Sequence, residues 1–209
     1  MVWPPLGLWY IAAQLEAQGH HTDFIDMSAN DTLPNDGEYD QMWISAKSPQ
    51  IFEIKKIAEH TKDWTKTRTV LGGAAAWVNP ETYRSMFDLV VCGEGDHPDT
   101  IFDITNPTFN GIYYPALRPN LDWVLPPLRR WALDYHSYMT SQDGNKYRMA
   151  SLFTTRGCPM SCAFCSSGRL GTIWGNRTRY EPLHIVEHQI KECLDLGFTG
   201  IAFSPHTWG

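Results

Sequence analysis

Three thiols crowd into one short run, Arg156-Gly157-Cys158-Pro159-Met160-Ser161-Cys162-Ala163-Phe164-Cys165, with the spacing C-x3-C-x2-C. Thiolates are soft ligands that suit iron–sulfur clusters and zinc. A [4Fe–4S] cube normally takes four cysteines. Three closely spaced thiolates hold three corners and leave one iron open, and an open position separates a reactive metal site from a closed structural one. The other reading is a zinc site completed by Cys193 or a histidine. Zinc loops more often pair two C-x2-C arms, and no second pair exists in this sequence, so the spacing favours the cluster. An electron-transfer ferredoxin would carry a fourth cysteine and its proline in the run.

A second pattern with chemical potential is His184-Ile185-Val186-Glu187-His188, which matches H-x-x-E-H. On a helix the two imidazoles share a face and could bind zinc with Glu187 as base. The plainer reading is a solvated helix face, because no third-ligand context is evident. Arg177-Thr178-Arg179, just before that helix, is either an anion-pairing pair or simply exposed. Cys92 and Cys193 read as buried, inert thiols.

The elements that position these residues follow from periodicity. Residues 6–18 read as a helix with Leu6, Trp9, Ile11, Ala12 and Leu15 on one face, stopped by Gly19. Strands are expected at Thr22–Met27, Gln41–Ser45, Thr67–Leu71 and Asp88–Val91, and helices at Pro49–Trp64, after Asn79-Pro80 and at His97–Ile104. Alternating strands and helices over the first ~105 residues predict a parallel sheet wrapped by helices. Two strands end in glycine-rich turns, Gly72-Gly73 and Gly93-Glu94-Gly95. Ligands of such sheets bind at the carboxyl ends of strands, although glycines there also serve merely as tight turns. A proline- and aromatic-rich connector follows. Met149–Thr154 and Gly200–Ser204 read as strands flanking a helix at Glu181–Leu196, a βαβ unit with Leu183, Val186, Ile190, Cys193 and Leu194 on the buried stripe.

Composition sets the outer limits. The chain has 209 residues, 17 Lys plus Arg against 23 Asp plus Glu, and a formal charge of −6. That acidic balance argues against nucleic acid as a partner. Five cysteines, three of them in one run, do not make a secreted disulfide framework. No run approaches the ~20 apolar residues of a membrane span. The apolar N-terminus lacks a basic segment and carries Pro4-Pro5, so it does not read as a signal peptide, and the cytoplasm is the expected location.

The run RGCPMSCAFCSS strongly resembles the cluster loop of radical S-adenosylmethionine enzymes. The resemblance implies that Cys158, Cys162 and Cys165 bind a [4Fe–4S] cluster whose open iron chelates S-adenosylmethionine, with Phe164 beside the adenine. Reduction by an external one-electron donor of flavodoxin or ferredoxin type would then start radical chemistry on a small-molecule substrate. PPLGLWYIAAQLEAQGH, VLGGAAAW and DLVVCGEGD look like the N-terminal cobalamin-binding domain of the cobalamin-dependent members. In that subgroup Gly72, Gly73, Gly93, Glu94 and Gly95 would lie against the corrin and its nucleotide tail, with Ser45 and Ser48 near the same edge. Arg179 falls where the subgroup often carries Arg-x-Arg, and would meet a carboxylate of S-adenosylmethionine or a cobalamin amide.

The implied architecture is α/β: a Rossmann-like (flavodoxin-like), doubly wound cobalamin-binding domain over 1–112, a linker over 113–148, and over 149–209 the first βαβ part of a radical S-adenosylmethionine partial TIM barrel. Methyl transfer to an unactivated carbon is the commonest role in the resembling group, and tetrapyrrole-type ring closure is the other. A non-catalytic cobalamin- or cluster-binding module is the alternative of a different class. The sequence departs from the family in lacking the Asp-x-His-x-x-Gly loop that gives cobalt an imidazole. It also reads Ser204-Pro205-His206-Thr207-Trp208 where contacts to S-adenosylmethionine are usual. Set beside the resembling family, the sequence reads as truncated in the catalytic barrel, with three options: a fragment, a chain completed by a partner, or a chain that no longer catalyses.

Overall fold

A computed structural model describes residues 4–27, 31–133, 139–142, 145–160, 162–163 and 177–204. They form two compact units. One takes the chain up to Asp31 and again from Leu117 onward; the other runs Thr32–Ala116.

The first unit opens with α1 (Leu6–Ala17). Gly19, at φ +88°, ends it, with the His20 N–H donating to the Leu15 carbonyl at 3.0 Å. The buried face is Leu6, Trp9, Tyr10, Ala13 and Gln14, with Ala12 beside it. Ile11 and Leu15, expected on that face, are only half-buried. Thr22–Met27, expected as a strand, is irregular from residue 21 to 26. Its groups are engaged elsewhere. Phe24 stands between Trp9 and Trp131, with ring centroids 6.0 and 5.5 Å away, and the Thr22 carbonyl accepts from Arg130 at 3.1 Å.

The second unit is the parallel sheet. β1 (Gln41–Ser45), β2 (Arg68–Gly72), β3 (Leu89–Val91) and β4 (Gly111–Tyr113) lie in sequence order, each parallel to the next. Parallel pairing requires crossovers. These are α2 (Ile51–Thr61), the short α3 (Gly73–Val78) and α4 (Pro80–Tyr83), and α5 (Pro98–Thr105). Ile54, Ile57 and Ala58 of α2 pack with Leu71, Ala75, Ala76 and Val90 in the core. α5 begins at His97, whose Nδ1 accepts the Asp99 N–H at 3.1 Å. β4 straddles the expected end of the sheet domain at 112, where no strand was expected. Gly111 (φ +90°) brings it beside β3, and the Arg68 guanidinium donates to the Phe109 carbonyl before it.

The chain then returns to the first unit. β5 (Met139–Gln142) and β6 (Asn145–Phe153) form an antiparallel pair, and β9 (Gly200–Ser204) pairs parallel to β6 with Met149 opposite Gly200. Between them lie a two-residue ladder, β7 (Thr155–Arg156) against β8 (Arg179–Tyr180), and α6 (Leu183–Asp195). The expected βαβ unit is therefore present. Its helix buries Gln189 and Cys193, whereas Leu183 and Leu194 are 72% and 62% exposed, against the stripe expected from the sequence. Leu6, Trp9 and Tyr10 of α1 share one core with Leu121, Val124, Leu152, Cys193 and Phe198. That shared core places α1 in the same compact unit as β6 and α6. Among the described residues no helix is long and apolar enough to cross a membrane.

Gly73 and Gly19 both hold positive φ, +81° and +88°, but differ in surroundings. A Cβ on Gly73 would stand 2.8 Å from the Ala46 carbonyl and from Ser45 Oγ, while one on Gly19 meets nothing within 4 Å. Gly19→Ala should cost about 1–2 kcal/mol, the left-handed penalty alone. Gly73→Ala should cost clearly more in urea unfolding. Equal losses would overturn this packing account.

Candidate functional site

The glycine turns and Ser45 come together at one edge of the second unit. β1, β2 and β3 are adjacent and parallel, so the loops leaving their carboxyl ends are neighbours. Ser45 pairs directly with Gly72, and Gly93, Glu94 and Gly95 follow β3 after Cys92. All six are half-buried. The loops are tied by backbone hydrogen bonds: Ala46 N–H to the Gly72 carbonyl (3.3 Å), Ala75 N–H to the Ala46 carbonyl (3.0 Å) and Cys92 N–H to the Tyr113 carbonyl (2.8 Å).

The glycines divide by what their missing side chains would meet. Gly73 is required by Ser45 and Ala46, and Gly93 (φ +155°) by Pro115, 3.0 Å from its would-be Cβ. These two serve the protein's own packing. Gly72 has extended backbone and its nearest neighbour is a carbonyl oxygen at 3.9 Å. It leaves the middle of the edge open to a flat ligand, so the residues present fit a group laid across the backbone at the strand ends. Cys92, beneath this edge, is buried; burial, with the nearby Glu81, pushes its thiol up to about 12.

The cysteine run emerges at the carboxyl end of β6 and β7 in the first unit. Its base is closed from several sides. Thr155 and Arg156 pair with Tyr180 and Arg179, and the Glu181 N–H donates to the Thr154 carbonyl at 2.9 Å. Gly157 holds φ +86°, and a Cβ there would run into the Arg177 carbonyl. Cys158 and Cys162 are half-exposed and outside any disulfide. Two soft sulfur donors at the mouth of a loop fit an iron–sulfur cluster in type. Phe164 and Cys165, the other residues assigned to this site, lie outside the described residues, as do Pro205-His206-Thr207-Trp208. Among the described residues no group of three metal-capable side chains gathers. His184, Glu187 and His188 are exposed on α6, as the plainer reading of H-x-x-E-H expects.

Arg179 is 3% exposed, and one of its nitrogens donates to the Arg118 carbonyl at 3.2 Å. Its place is thus inside the unit, beneath the loop. Around it lies a set of buried polar groups that the sequence reading did not single out: Tyr10, Arg129, Arg156, Glu181 and Gln189. Arg129 donates to the Ser151 carbonyl and to Gln189 Oε1, both at 3.1 Å, and its Nε lies 3.5 Å from Glu192 Oε2. The one signal for this set was Gln189, a polar residue in line with Cys193 on the buried face of α6.

The B12 binding domain family matches residues 1–102. The chain is also similar to three curated proteins. It is 27% identical to the bacteriochlorophyllide d C-8(2)-methyltransferase of Chlorobaculum tepidum, over 95% of this chain and 43% of that protein. With the hopanoid C-2 methylase of Rhodopseudomonas palustris the identity is 24%, over 96% and 36%. With the anaerobic magnesium-protoporphyrin IX monomethyl ester cyclase of Rubrivivax gelatinosus it is 25%, over 94% and 40%. The chain therefore spans about two fifths of the length of the curated relatives it matches. The class is an α/β protein with a Rossmann-like parallel sheet and a B12-binding sequence pattern. Its likeness to the cobalamin-dependent radical S-adenosylmethionine enzymes, first read from the cysteine and glycine motifs, holds along nearly the whole chain.

Burial separates the thiols. In the cluster-free native protein, alkylation at mildly alkaline pH should label Cys158 and Cys162 and spare Cys92 and Cys193 until denaturant is added. Mass spectrometry of the peptides checks this, and early labelling of Cys92 would contradict its burial.

Proposed function

We propose that this chain is the cofactor-binding portion of a cobalamin-dependent radical S-adenosylmethionine enzyme. It would start radical chemistry by reductive cleavage of S-adenosylmethionine, with methyl transfer to an unactivated carbon as the reaction. The observation that carries the proposal is the C-x3-C-x2-C loop leaving the carboxyl end of a parallel βαβ pair, in a chain whose first 102 residues match the B12 binding domain family. When bound, the cluster supplies the electron for S-adenosylmethionine cleavage and cobalamin carries the methyl group.

The chain's own residues hold and orient. Cys158 and Cys162, with Cys165, would ligate three irons; Phe164 would lie along the adenine. Arg179 is buried beneath the loop and steadies it through β8. Ser45, Gly72, Gly73, Gly93, Glu94 and Gly95 would form the cobalamin edge, with Gly72 the open position and Gly73 and Gly93 shaping the loops. A one-electron donor protein and a small-molecule substrate would be the partners, in a reducing compartment such as the cytoplasm. Ring closure is the second reading, favoured by the similarity to a cyclase.

Anaerobic reconstitution with iron and sulfide tests the cluster. The expected result is an electron-paramagnetic-resonance signal of a cube that shifts on adding S-adenosylmethionine and is lost in Cys158→Ala. A cluster indifferent to S-adenosylmethionine would leave only a binding module. Cobalamin titration tests the edge. Gly72→Ala has room for its Cβ, so folding should be retained while cobalamin affinity falls about tenfold, or ~1.4 kcal/mol. Unchanged affinity would remove this edge from the site.

A further inference from the structure

Tyr10 lies within the stretch matched by the B12 binding domain family, yet α1 packs in the unit that carries the cysteine loop. Its hydroxyl reaches Glu181 Oε2 at 3.2 Å and Gln189 Oε1 at 3.3 Å. The Gln189 amide donates to the same Glu181 oxygen at 2.9 Å, and its own carbonyl oxygen accepts from Arg129. The other Glu181 oxygen faces Arg156 Nη2 at 3.6 Å. The Arg156 guanidinium also lies over the rings of Tyr10 and Trp123, 5.0 and 5.4 Å from their centroids. Tyr10, Gln189, Glu181 and Arg156 are each at least nine-tenths buried.

We propose that Tyr10, Gln189 and Glu181 are positioning residues for the cysteine loop: they fix the Arg156 side chain, and through it the backbone that delivers Cys158. The inference rests on the reading of that loop as a cluster site. Arg156 is two residues before Cys158, and only the left-handed Gly157 separates them. Glu181, where the chain leaves the loop, holds the strand that enters it at two points. Its backbone N–H holds the Thr154 carbonyl, and its carboxylate holds the Arg156 guanidinium. A buried carboxylate keeps its charge only while donors surround it. Tyr10 and Gln189 are those donors. Burial, and then the Glu181 charge, push the Tyr10 hydroxyl far above its usual range, so it remains protonated and donating. The position of the first thiolate is thus set partly from α1, almost 150 residues earlier in the chain.

The test uses the full chain, wild type beside Tyr10→Phe and Glu181→Gln, with Glu187→Gln on the exposed face of α6 as the control. Tyr10→Phe keeps the ring that stacks on Phe153 and under Arg156, so it serves if Glu181→Gln fails to fold. In the cluster-free protein, amide exchange at Arg156–Gly157 and Arg179–Tyr180 should speed up about tenfold in both variants, while β1–β3 exchange at wild-type rates. After reconstitution, the variants' cluster should show an altered reduction potential and a weaker spectral response to S-adenosylmethionine, with Glu187→Gln matching wild type. Exchange and spectra indistinguishable from wild type would overturn the positioning role while leaving the cluster reading intact. A wild type that takes up no cluster would sink the cluster reading and this role with it.

Discussion

A carboxylate removed from water must be answered by donors, and Glu181 is answered from three separate parts of the chain. Leaving such a charge unmatched costs about 3–5 kcal/mol, a large share of a domain's stability. Arg156 supplies the opposite charge, Gln189 an amide from the helix that follows, and Tyr10 a hydroxyl from the first helix. Arg129 extends the set by binding Gln189, the Ser151 carbonyl and Glu192. Two guanidinium groups thus stand against two carboxylates, and α1, the connector and α6 have little freedom to slide past one another. The apolar core around Trp9, Leu121 and Leu152 supplies the bulk of the burial, while the polar set selects the arrangement.

The two sites differ in how they are built. At the sheet edge, backbone does most of the work. Parallel strands bring successive loops to one end, and the small residues Ser45, Gly72 and Gly95 leave main chain accessible there. Such a surface suits a large, rigid ligand that presses against it broadly. At the cysteine loop, side chains dominate: Cys158 and Cys162 are half-exposed while arginines and a glutamate brace the stem from within. A wide, shallow surface offers contact area, whereas a narrow, braced stem fixes the position of a few atoms.

Legibility in the sequence followed the range of the interactions involved. β1, β2, β3, α5 and the βαβ pair of β6 and β9 could be read directly, because apolar periodicity and glycine or proline punctuation are local signals. The failures depended on distant partners. Thr22–Met27 has strand-like residues, but Phe24 is claimed by Trp9 and Trp131. Gly111–Tyr113 has few strand signals, but an open edge of β3 recruits it. On α6 the apolar stripe misled, because the face turned inward had to carry Gln189 to meet Arg129 and Glu181. The same division holds for the sites. The thiols and glycines announce themselves by spacing, whereas Tyr10, Arg129 and Glu181 form a set only once the chain has folded.

The interleaving of the two units also bears on how the chain is made. Thr32–Ala116 is contiguous, so every partner in its sheet has left the ribosome soon after Tyr113. Leu6, Trp9 and Tyr10 must wait for Leu121, Leu152 and Cys193 before their core can close. Units fold as their residues become available, and contacts between distant segments come late. During translation the nascent protein therefore carries an apolar helix with nothing to cover it while its middle is already folded, and this interval is when a chaperone has most to protect.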